Sequence, residues 1–317
     1  MLNIGIDLGG TGIKAGLVDD KGSILYKLSC PTLVERGHEA VIHDMAQLSL
    51  RVLAESGHNL DEVSSVGVGI PGIMDQSTGV VPFCTNLAWH NVPLVKLMQQ
   101  EIDKPVYVNN DATVAGLAES VAGVSAGTRS SVFVTLGTGV GGGVILDGKV
   151  FEGRHGVASE IGHMITVAGG EQCTCGNRGC WERYASATAI IREGRRFCEA
   201  HPDCPLAREV GGDLSKIEAR TVIDLAKAGD PDCTALFDNY CYHLTVGIVN
   251  LINLYDPEII ALGGGVSKTG QFLLDKVNAL LPEMLFYKEM PHAHIELARL
   301  SNDAGIIGAA MLGAQEA

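Results

Sequence analysis

The chain has 317 residues, of which 46% are hydrophobic and 19% are charged, so it is long enough for two domains with sizeable buried cores. The formal net charge of −14 argues against nucleic-acid binding, which depends on clustered Lys and Arg side chains. An acidic protein that binds an anionic ligand must do so locally, with backbone amides, a few cations or a metal.

The N-terminal sequence and the cysteine pattern indicate a cytoplasmic protein. The first residues lack a basic start, a long apolar stretch and a cleavage site, so we expect no signal peptide. The uncharged run 130–146 is too rich in Gly and Thr to span a membrane. Nine cysteines is an odd number, and six follow no motif spacing, which is typical of free thiols in a reducing cytosol: Cys30, Cys84, Cys198, Cys204, Cys233 and Cys241.

Two stretches of the chain repeat a strand–glycine turn–strand pattern. The first reads IGIDLGGTGIKAGLVDDKG, and the second, from Val132, reads VFVTLGTGVGGGVILDGKV. Equivalent hairpins at the head of two halves predict a duplicated fold with a cleft between the halves. Glycines let backbone amides approach phosphate oxygens, and the first copy adds Asp7, Thr11 and Lys14. The alternative is a pair of tight turns without a ligand.

A candidate catalytic carboxylate follows the next strand. Residues 105–108 read as a strand and residues 112–119 as a helix, with Asn109, Asn110 and Asp111 between them. Ligands of α/β sheets gather at the carboxyl ends of strands, where Asp111 would be able to accept a proton from a substrate hydroxyl. The alternative is that Asp111 or Asn110 only caps the helix, and both roles are compatible.

A histidine and three cysteines form the most specific pattern of the sequence. His163, Cys173, Cys175 and Cys180 supply the nitrogen and thiolate ligands that zinc prefers, and a Cys3His set leaves no coordination position open. Glycines beside two of the cysteines allow the sharp backbone turns that aim successive sulfurs at one point. The alternative is three ordinary buried thiols and a surface histidine, and nothing else suggests the exported protein that a disulfide would require.

A third glycine cluster follows a short apolar strand. Residues 258–262 form that strand after a break at 256–257, and the chain then runs through Gly263, Gly264 and Gly265 into an amphipathic stretch at 272–281. A strand, a glycine turn and a helix start are a good place for a nucleotide. Glycine turns before helices are also common without any ligand.

Taken together, these motifs resemble the ROK family of sugar kinases, most closely its bacterial-type glucokinases, essentially from end to end. The zinc signature is highly specific, whereas the glycine motifs are shared with the wider actin, hexokinase and Hsp70-like group. One departure is Ser159, which stands where relatives often have Gly. The motifs that carry the resemblance are Asp7–Lys14, Pro71-Gly72, Asn86–Trp89, Asn110-Asp111, Gly137–Gly139, Glu160–His163 and Cys173–Glu182.

The resemblance implies an α/β fold of two actin-like (ribonuclease H-like) domains with a cleft between them. We expect residues 1–112 plus 301–317 to form the smaller domain and residues 113–300 the larger one. A small-residue helix from Asp303 onward is expected to pack back on the first domain.

The resemblance also implies a role for each motif in the ATP-dependent phosphorylation of a hexose, with Mg²⁺ accompanying ATP and zinc ordering the sugar loop. Asp111 is the expected general base, and the sugar hydroxyls are expected to meet Gly72, Asn110, Asp111, Glu160, His163 and Glu182. The residues expected around ATP are Asp7, Gly9, Gly10, Thr11, Lys14, Gly137, Thr138, Gly139, Gly263, Gly264 and Gly265. Glucose is favoured over N-acetylmannosamine, N-acetylglucosamine, fructose, mannose and allose, and a homodimer or homotetramer is expected.

Three readings from other classes compete with a kinase. Sugar-responsive repressors of the same family carry a helix-turn-helix segment in front, which we do not expect here because the phosphate motif begins at Asp7. A zinc module for binding another macromolecule would not explain the paired hairpins. An ATPase of the wider fold group would have no use for the zinc and sugar signature.

Overall fold

The computed structural model describes residues 1–315 and has a mixed α/β architecture. The strands are β1 (Leu2–Leu8), β2 (Gly12–Asp19), β3 (Ile24–Pro31), β4 (Val63–Ile70), β5 (Ile73–Asp75), β6 (Val80–Cys84), β7 (Trp89–Val92), β8 (Val106–Asn110), β9 (Ser131–Leu136), β10 (Val140–Leu146), β11 (Lys149–Val150), β12 (Ile259–Gly263) and β13 (His294–Leu297). The helices are α1 (His38–Ser56), α2 (Leu94–Glu101), α3 (Asp111–Ala122), α4 (Glu182–Ala185), α5 (Ala187–Ala200), α6 (Pro205–Glu209), α7 (Ala219–Lys227), α8 (Pro231–Tyr255), α9 (Gly264–Ser267), α10 (Gln271–Met284) and α11 (Ala304–Met311). Among the described residues, no helix has the length and apolar character that a membrane span needs.

The two five-stranded sheets share one strand order. The first runs β3-β2-β1-β4-β8 and the second β11-β10-β9-β12-β13, so each strand of the first has a counterpart in the second. In the first sheet β1 is antiparallel to β2 and parallel to β4, and β4 is parallel to β8. In the second, β10 is antiparallel to β11 and β12 is parallel to β13. The repeated order confirms the duplication that the two glycine hairpins predict.

Contacts within the chain define two compact units. Unit 1 comprises Met1–Phe133, Gly143–Ser159 and the residues from Ala298 onward, and unit 2 comprises Val134–Gly142 and Glu160–Leu297. Strands β9 and β10 therefore contribute residues to both units. The domain boundaries expected from the sequence stay a prediction.

Helix α11 fixes the strands of unit 1 by direct backbone contact. It packs against β1, β4 and α3, and it is the small-residue helix that the sequence predicts. A Cβ atom at Gly5 would lie 1.9 Å from the backbone oxygen of Ile306, and one at Gly67 would lie 1.7 Å from that of Ala309. A Cβ at Gly308 would lie 1.7 Å from the backbone oxygen of Val114 in α3. Only glycine therefore allows this spacing of helix and sheet.

Helix α3 is held at its C-terminal end by a buried carboxylate. Glu119 is 1% exposed, and its Oε2 accepts a hydrogen bond from the backbone N–H of Val124 at 2.8 Å. Its Oε1 accepts from the backbone N–H groups of Arg299 and Leu300, each at 2.9 Å. The segment that leads into α11 is thereby tied to the helix that begins at Asp111. Such a buried carboxylate is stable only because several donors face it.

In unit 2, Trp181 anchors the end of the cysteine segment to α8. Its indole is fully buried, and its Nε1 donates to the backbone oxygen of His243 at 2.9 Å. Gly247 of α8 leaves room for the ring, since a Cβ there would lie 1.9 Å from Trp181 Cε2. Because Glu182 follows Trp181 directly, this packing sets the position of the Glu182 backbone.

We predict that Glu119→Gln lowers the free energy of unfolding by about 1–3 kcal/mol, because the new amide NH₂ faces at least one backbone donor. Denaturant unfolding measures the loss. The matched control is Glu283→Gln, at a side chain that is 82% exposed, which should change stability by less than about 0.5 kcal/mol. Equal stability of the two variants would contradict the anchoring role.

Candidate functional site

The first glycine turn lies between β1 and β2 in unit 1. The backbone N–H of Gly9 donates to the oxygen of Gly12 at 2.9 Å, which closes the turn. Lys14 Nζ lies 2.9 Å from Asp7 Oδ2, and the Lys14 side chain keeps 41% of its surface exposed. Asp7 packs against α11, where a Cβ at Gly305 would lie 2.7 Å from its Cγ. The predicted phosphate residues of this hairpin therefore include one exposed cation held by a carboxylate.

Asn110 and Asp111 occupy the junction of β8 and α3. Asn110 is the N-cap: its Oδ1 accepts from the backbone N–H groups of Ala112 and Thr113 at 2.9 and 3.4 Å. Its Nδ2 donates to the oxygen of Gly72 at 3.2 Å, which joins two of the predicted sugar-binding residues. Asp111 lies in the first helical turn with an exposed side chain, and its Oδ1 accepts from Ala112 at 2.8 Å. The capping role thus belongs to Asn110.

The second glycine turn, in unit 2, is held by the start of α5. The backbone N–H of Gly137 donates to the oxygen of Gly139 at 3.0 Å, and Ala187 donates to the oxygen of Gly137 at 2.8 Å. The hydroxyl of Thr188 donates to the oxygen of Thr138 at 2.7 Å. Sequence reasoning did not identify Thr188, because the contact joins residues that are 50 positions apart.

Three predicted sugar-binding side chains meet beside this turn. His163 Nε2 lies 3.9 Å from Glu160 Oε2, and His163 Nδ1 lies 4.0 Å from Glu182 Oε1. A Cβ at Gly139 would lie 2.7 Å from Glu182 Oε2, so glycine at this position is what lets the carboxylate approach the turn. Unit 2 therefore brings two carboxylates and an imidazole next to a glycine-rich backbone turn.

The predicted metal ligands converge. One ligand atom from each of His163, Cys173, Cys175 and Cys180 lies within 4.8 Å of all the others. Cys173 Sγ is 3.7 Å from His163 Nδ1, and Cys175 Sγ is 3.6 Å from Cys180 Sγ. A zinc tetrahedron with normal bond lengths separates its ligand atoms by about 3.5–3.8 Å. These two pairs have that spacing and the whole set lies within 4.8 Å, so its donors and their convergence are compatible with zinc. The histidine nitrogen that faces the cysteines is Nδ1, which leaves Nε2 directed toward Glu160.

The thiols differ in their electrostatic surroundings. Burial raises the pKa of the Cys180 thiol to about 12 and also raises the pKa of Cys173. The backbone N–H of Asn177 lowers the pKa of the exposed Cys175 thiol. A bound divalent metal would override these differences, because coordination removes the thiol proton.

Glycines shape the backbone of the cysteine segment as expected. Gly179 has φ +85°, and a Cβ there would lie 1.7 Å from the backbone oxygen of Val167. Gly176 has φ +96°, in the left-handed region that other residues rarely adopt. Two isolated bridges, Ile165 to Cys180 and Gln172 to Arg178, fold the segment back on itself.

A cavity of about 720 Å³ lies beside the third glycine cluster, entirely within unit 2. Of the three glycines only Gly265 lines it, together with apolar side chains such as Ile191, Ile223 and Val266. Gly264 has φ +85° and turns the chain past the end of β9, since a Cβ would lie 2.6 Å from the oxygen of Leu136. Charged side chains such as Arg220 and Asp224 share the lining, so the cavity offers both apolar and polar contacts to a ligand.

Residues 3–316 match the ROK family along almost the whole chain. The chain belongs to the ROK family.

Two glucokinases are similar to this ROK protein over nearly their full length. The glucokinase of Thermotoga maritima is 36% identical over 98% of this chain and 96% of its own. A ROK glucokinase from Streptomyces griseus, solved in complex with glucose and AMPPNP, is 36% identical, covers 98% of this chain and 99% of its own, and superposes with a TM-score of 0.80. The predicted fold class is confirmed by this likeness.

Regulators of the family are also similar, over a smaller share of their length. The xylose repressor of Caldicellulosiruptor bescii is 28% identical over 96% of this chain and 76% of its own. The ROK protein is thus more similar in sequence to the two glucokinases than to this repressor.

Sequence reasoning missed two polar residues that contact the end of β8, Gln76 and Glu152. Asn109, Gln76 and Glu152 are joined by side-chain hydrogen bonds in unit 1. Asn109 carried the only local signal, since it precedes the predicted cap. Glu152 carried none, because it lies 43 residues further along the chain.

We predict that Asn110→Ala lowers the free energy of unfolding by about 0.5–2 kcal/mol, since it removes the cap of α3. Asp111→Asn should change stability by less than about 0.5 kcal/mol, because the side chain is exposed and keeps its shape. Denaturant titration of both variants checks the assignment. A larger loss in Asp111→Asn than in Asn110→Ala would return the capping role to Asp111.

Proposed function

We propose that this ROK protein is a glucokinase that transfers the γ-phosphoryl group of ATP to the C6 hydroxyl of glucose. An ATP-dependent hexokinase is the enzyme class supported by near-full-length similarity to glucokinases. The observation that carries the proposal is the meeting of Glu160, His163 and Glu182 beside the turn at Gly139. Carboxylates and an imidazole are suitable partners for the hydroxyls of a sugar, and a glycine turn is a suitable neighbour for a phosphate, so their proximity in unit 2 supports the proposal.

Asp111 is the proposed general base. The C6 oxygen forms a bond to the γ-phosphorus while the bond from that phosphorus to the β,γ-bridging oxygen breaks, and the hydroxyl proton passes to the Asp111 carboxylate. Phosphoryl transfer depends mainly on positioning and on stabilisation of charge, so an exposed carboxylate at the end of a strand suits this role. The Asn110 cap fixes the turn that carries it.

The remaining polar side chains are proposed to bind the sugar. Glu160 and Glu182 would accept hydrogen bonds from ring hydroxyls, while Asn110, Gly72 and the free nitrogen of His163 would complete the set. Sites built to hydrogen-bond a hydroxyl reject analogues that lack it far more strongly than they reject added bulk. Choice among hexoses then depends on the space around the C2 to C4 substituents of the sugar. Ser159 directly precedes the proposed sugar-binding residue Glu160 in the chain, so it would influence that space through Glu160.

The glycine turns are proposed to hold the phosphates of ATP. The residues proposed to lie around the phosphates are Gly9, Gly10, Thr11 and Lys14 of the first hairpin and Gly137, Thr138 and Gly139 of the second. The N–H groups of Gly9 and Gly137 donate within their own turns, so the other amides, the hydroxyls and the Lys14 cation would make the contacts. Mg²⁺ would accompany ATP and neutralise charge on the phosphates. The nucleoside would enter the cavity lined by Gly265.

The cysteine cluster is proposed to hold a structural zinc ion through His163 Nδ1, Cys173, Cys175 and Cys180. A set of four protein ligands leaves no position for a substrate, so the ion would order the segment rather than take part in the reaction. A zinc-bound histidine presents its other ring nitrogen outward, here toward Glu160. Structural zinc contributes on the order of 10–16 kcal/mol in small peptides, enough to decide whether such a segment is ordered.

Two alternatives to a glucokinase can be tested by the same experiments. A ROK kinase for N-acetylmannosamine, N-acetylglucosamine, fructose, mannose or allose would use the same machinery, and a sugar-binding regulator would bind sugar without turnover. Cytoplasmic location and assembly into a dimer or tetramer stay predictions from the sequence.

We predict that ADP forms from Mg-ATP fastest with glucose in a panel of those six hexoses and a no-sugar blank. In Asp111→Asn, turnover should fall by about 10²–10⁴-fold because the base is lost, while glucose still binds. Steady-state kinetics and calorimetric glucose titration measure the two effects. Strongest activity with an N-acetyl sugar would change the assigned substrate from glucose to that sugar. Near-normal turnover in Asp111→Asn would exclude Asp111 as the general base. Sugar binding without turnover would favour a sugar-binding regulator.

We predict that the purified protein carries zinc and that the Cys175→Ser variant loses it. Cys175 is exposed, so the exchange leaves the core intact, and Cys30→Ser is the matched control outside the cluster. Elemental analysis should find about one zinc per chain in the parent and the control, as a four-ligand site implies. Metal-free protein should remain folded by circular dichroism and fail to bind glucose. Full turnover of a zinc-free preparation would contradict this role.

A further inference from the structure

Asn109 is the centre of a hydrogen-bond chain that ends at the backbone of Asn110, one residue before the proposed base. Its side chain is 5% exposed, and both ends of its amide are used. Oδ1 accepts from the backbone N–H of Asn110 at 2.8 Å, and Nδ2 donates to Glu152 Oε1 at 2.5 Å. Glu152 therefore orients the side-chain amide of Asn109, and that amide in turn bonds the backbone of Asn110 just before α3.

The same carboxylate oxygen receives a second amide. Gln76 Nε2 lies 3.4 Å from Glu152 Oε1 and donates to the backbone oxygen of Val108 at 2.9 Å. Glu152 thus connects the segment after β5 with the end of β8. Hydrogen bonds to a charged acceptor are roughly twice as strong as those between neutral groups, so this junction is stiffer than one built from amides alone.

Glu152 itself stands on a folded segment. Its backbone oxygen accepts from the N–H of Ala158 at 3.1 Å, and Ser159 Oγ donates to the oxygen of Phe151 at 3.2 Å. The backbone of Gly156, at φ +71°, passes close to Met74, since a Cβ there would lie 3.0 Å from the Met74 oxygen. The Glu152 carboxylate is therefore carried by a backbone segment that is itself held by hydrogen bonds, as a positioning group requires.

We propose that Glu152 is a positioning residue for phosphoryl transfer, which acts through Asn109 on the turn that carries Asn110 and Asp111. This inference rests on the proposed function, in which Asp111 receives the hydroxyl proton. Without the Glu152 acceptor, Asn109 Nδ2 loses that partner in a buried position, so the amide is no longer held in the orientation in which Oδ1 accepts from the N–H of Asn110. A displacement of about 1 Å at a reacting group costs about 10²-fold in rate.

The first test compares Glu152→Ala with Glu152→Gln. Removal of the acceptor should lower kcat for glucose by about 10- to 100-fold and leave the KM for ATP nearly unchanged. The glutamine keeps an acceptor oxygen of the same reach but loses the charge, so its kcat should lie between that of Glu152→Ala and that of the parent. Lys149→Ala, an exposed change in the adjacent strand β11, is the matched control and should have the parent kcat. Melting temperatures establish that each variant is folded at the assay temperature.

The second test is a double-mutant cycle with Asn109→Ala. If Glu152 acts through Asn109, the double variant should be no slower than the slower single variant, because each change breaks the same connection. Multiplied losses would mean that the two residues act independently and would overturn the proposal. A purely structural effect would lower the melting temperature without recovery of kcat in Glu152→Gln.

Failure of this inference and failure of the proposed function give different results. Parent-level kcat in folded Glu152→Ala, or equal loss in the Ala and Gln variants, overturns the positioning role and leaves the kinase assignment standing. A parent protein that forms no ADP with any hexose overturns the proposed function, and the positioning role falls with it.

Discussion

The backbone contact between α11 and its neighbours is the constraint on which unit 1 depends. Gly5, Gly67 and Gly308 bring the helix backbone, the sheet and α3 closer than any side chain would permit. The elements fixed in this way all lead directly into site residues. Strand β1 leads to the turn at Gly9, β4 leads to Gly72, and α3 begins at Asp111. A shift of α11 would therefore move three parts of the proposed site together.

The net charge of −14 does not prevent phosphate binding, because the relevant electrostatics is local. Exposed charges separated by more than about 8 Å are largely screened at physiological ionic strength. Near the first turn, Lys14 is paired with Asp7. The ion pair holds the ammonium group in place, and the 41% of the Lys14 side-chain surface that stays exposed leaves it accessible to an anion. The uncharged glycine turns supply backbone dipoles, which carry no net charge and do not alter the overall balance.

The two units hold their polar side chains by different means. In unit 1 a chain of hydrogen bonds through Glu152, Asn109 and Asn110 fixes the turn before α3. In unit 2 the buried indole of Trp181 holds the end of the segment that carries Glu182, and the proposed zinc ion would hold the cysteine–histidine cluster before it. Both devices answer the same need: a functional side chain on a loop is placed accurately only when its supporting groups are themselves fixed.

Local patterns in the sequence were enough to predict the hairpins, the strand–helix junction at residues 109–111 and the grouping of one histidine with three cysteines, because each depends on residues that are near one another in the chain. The repeated hairpins also implied the duplication that the two sheets display. Only the tertiary structure decided that Asn110 rather than Asp111 is the cap, and that Glu152 bonds to Asn109 and Thr188 to Thr138 across 43 and 50 residues. It likewise placed Cys198 and Cys204, which follow no motif, 3.5 Å apart. Such contacts arise from packing of distant segments, and a single sequence carries no periodicity or spacing that records which segments will meet.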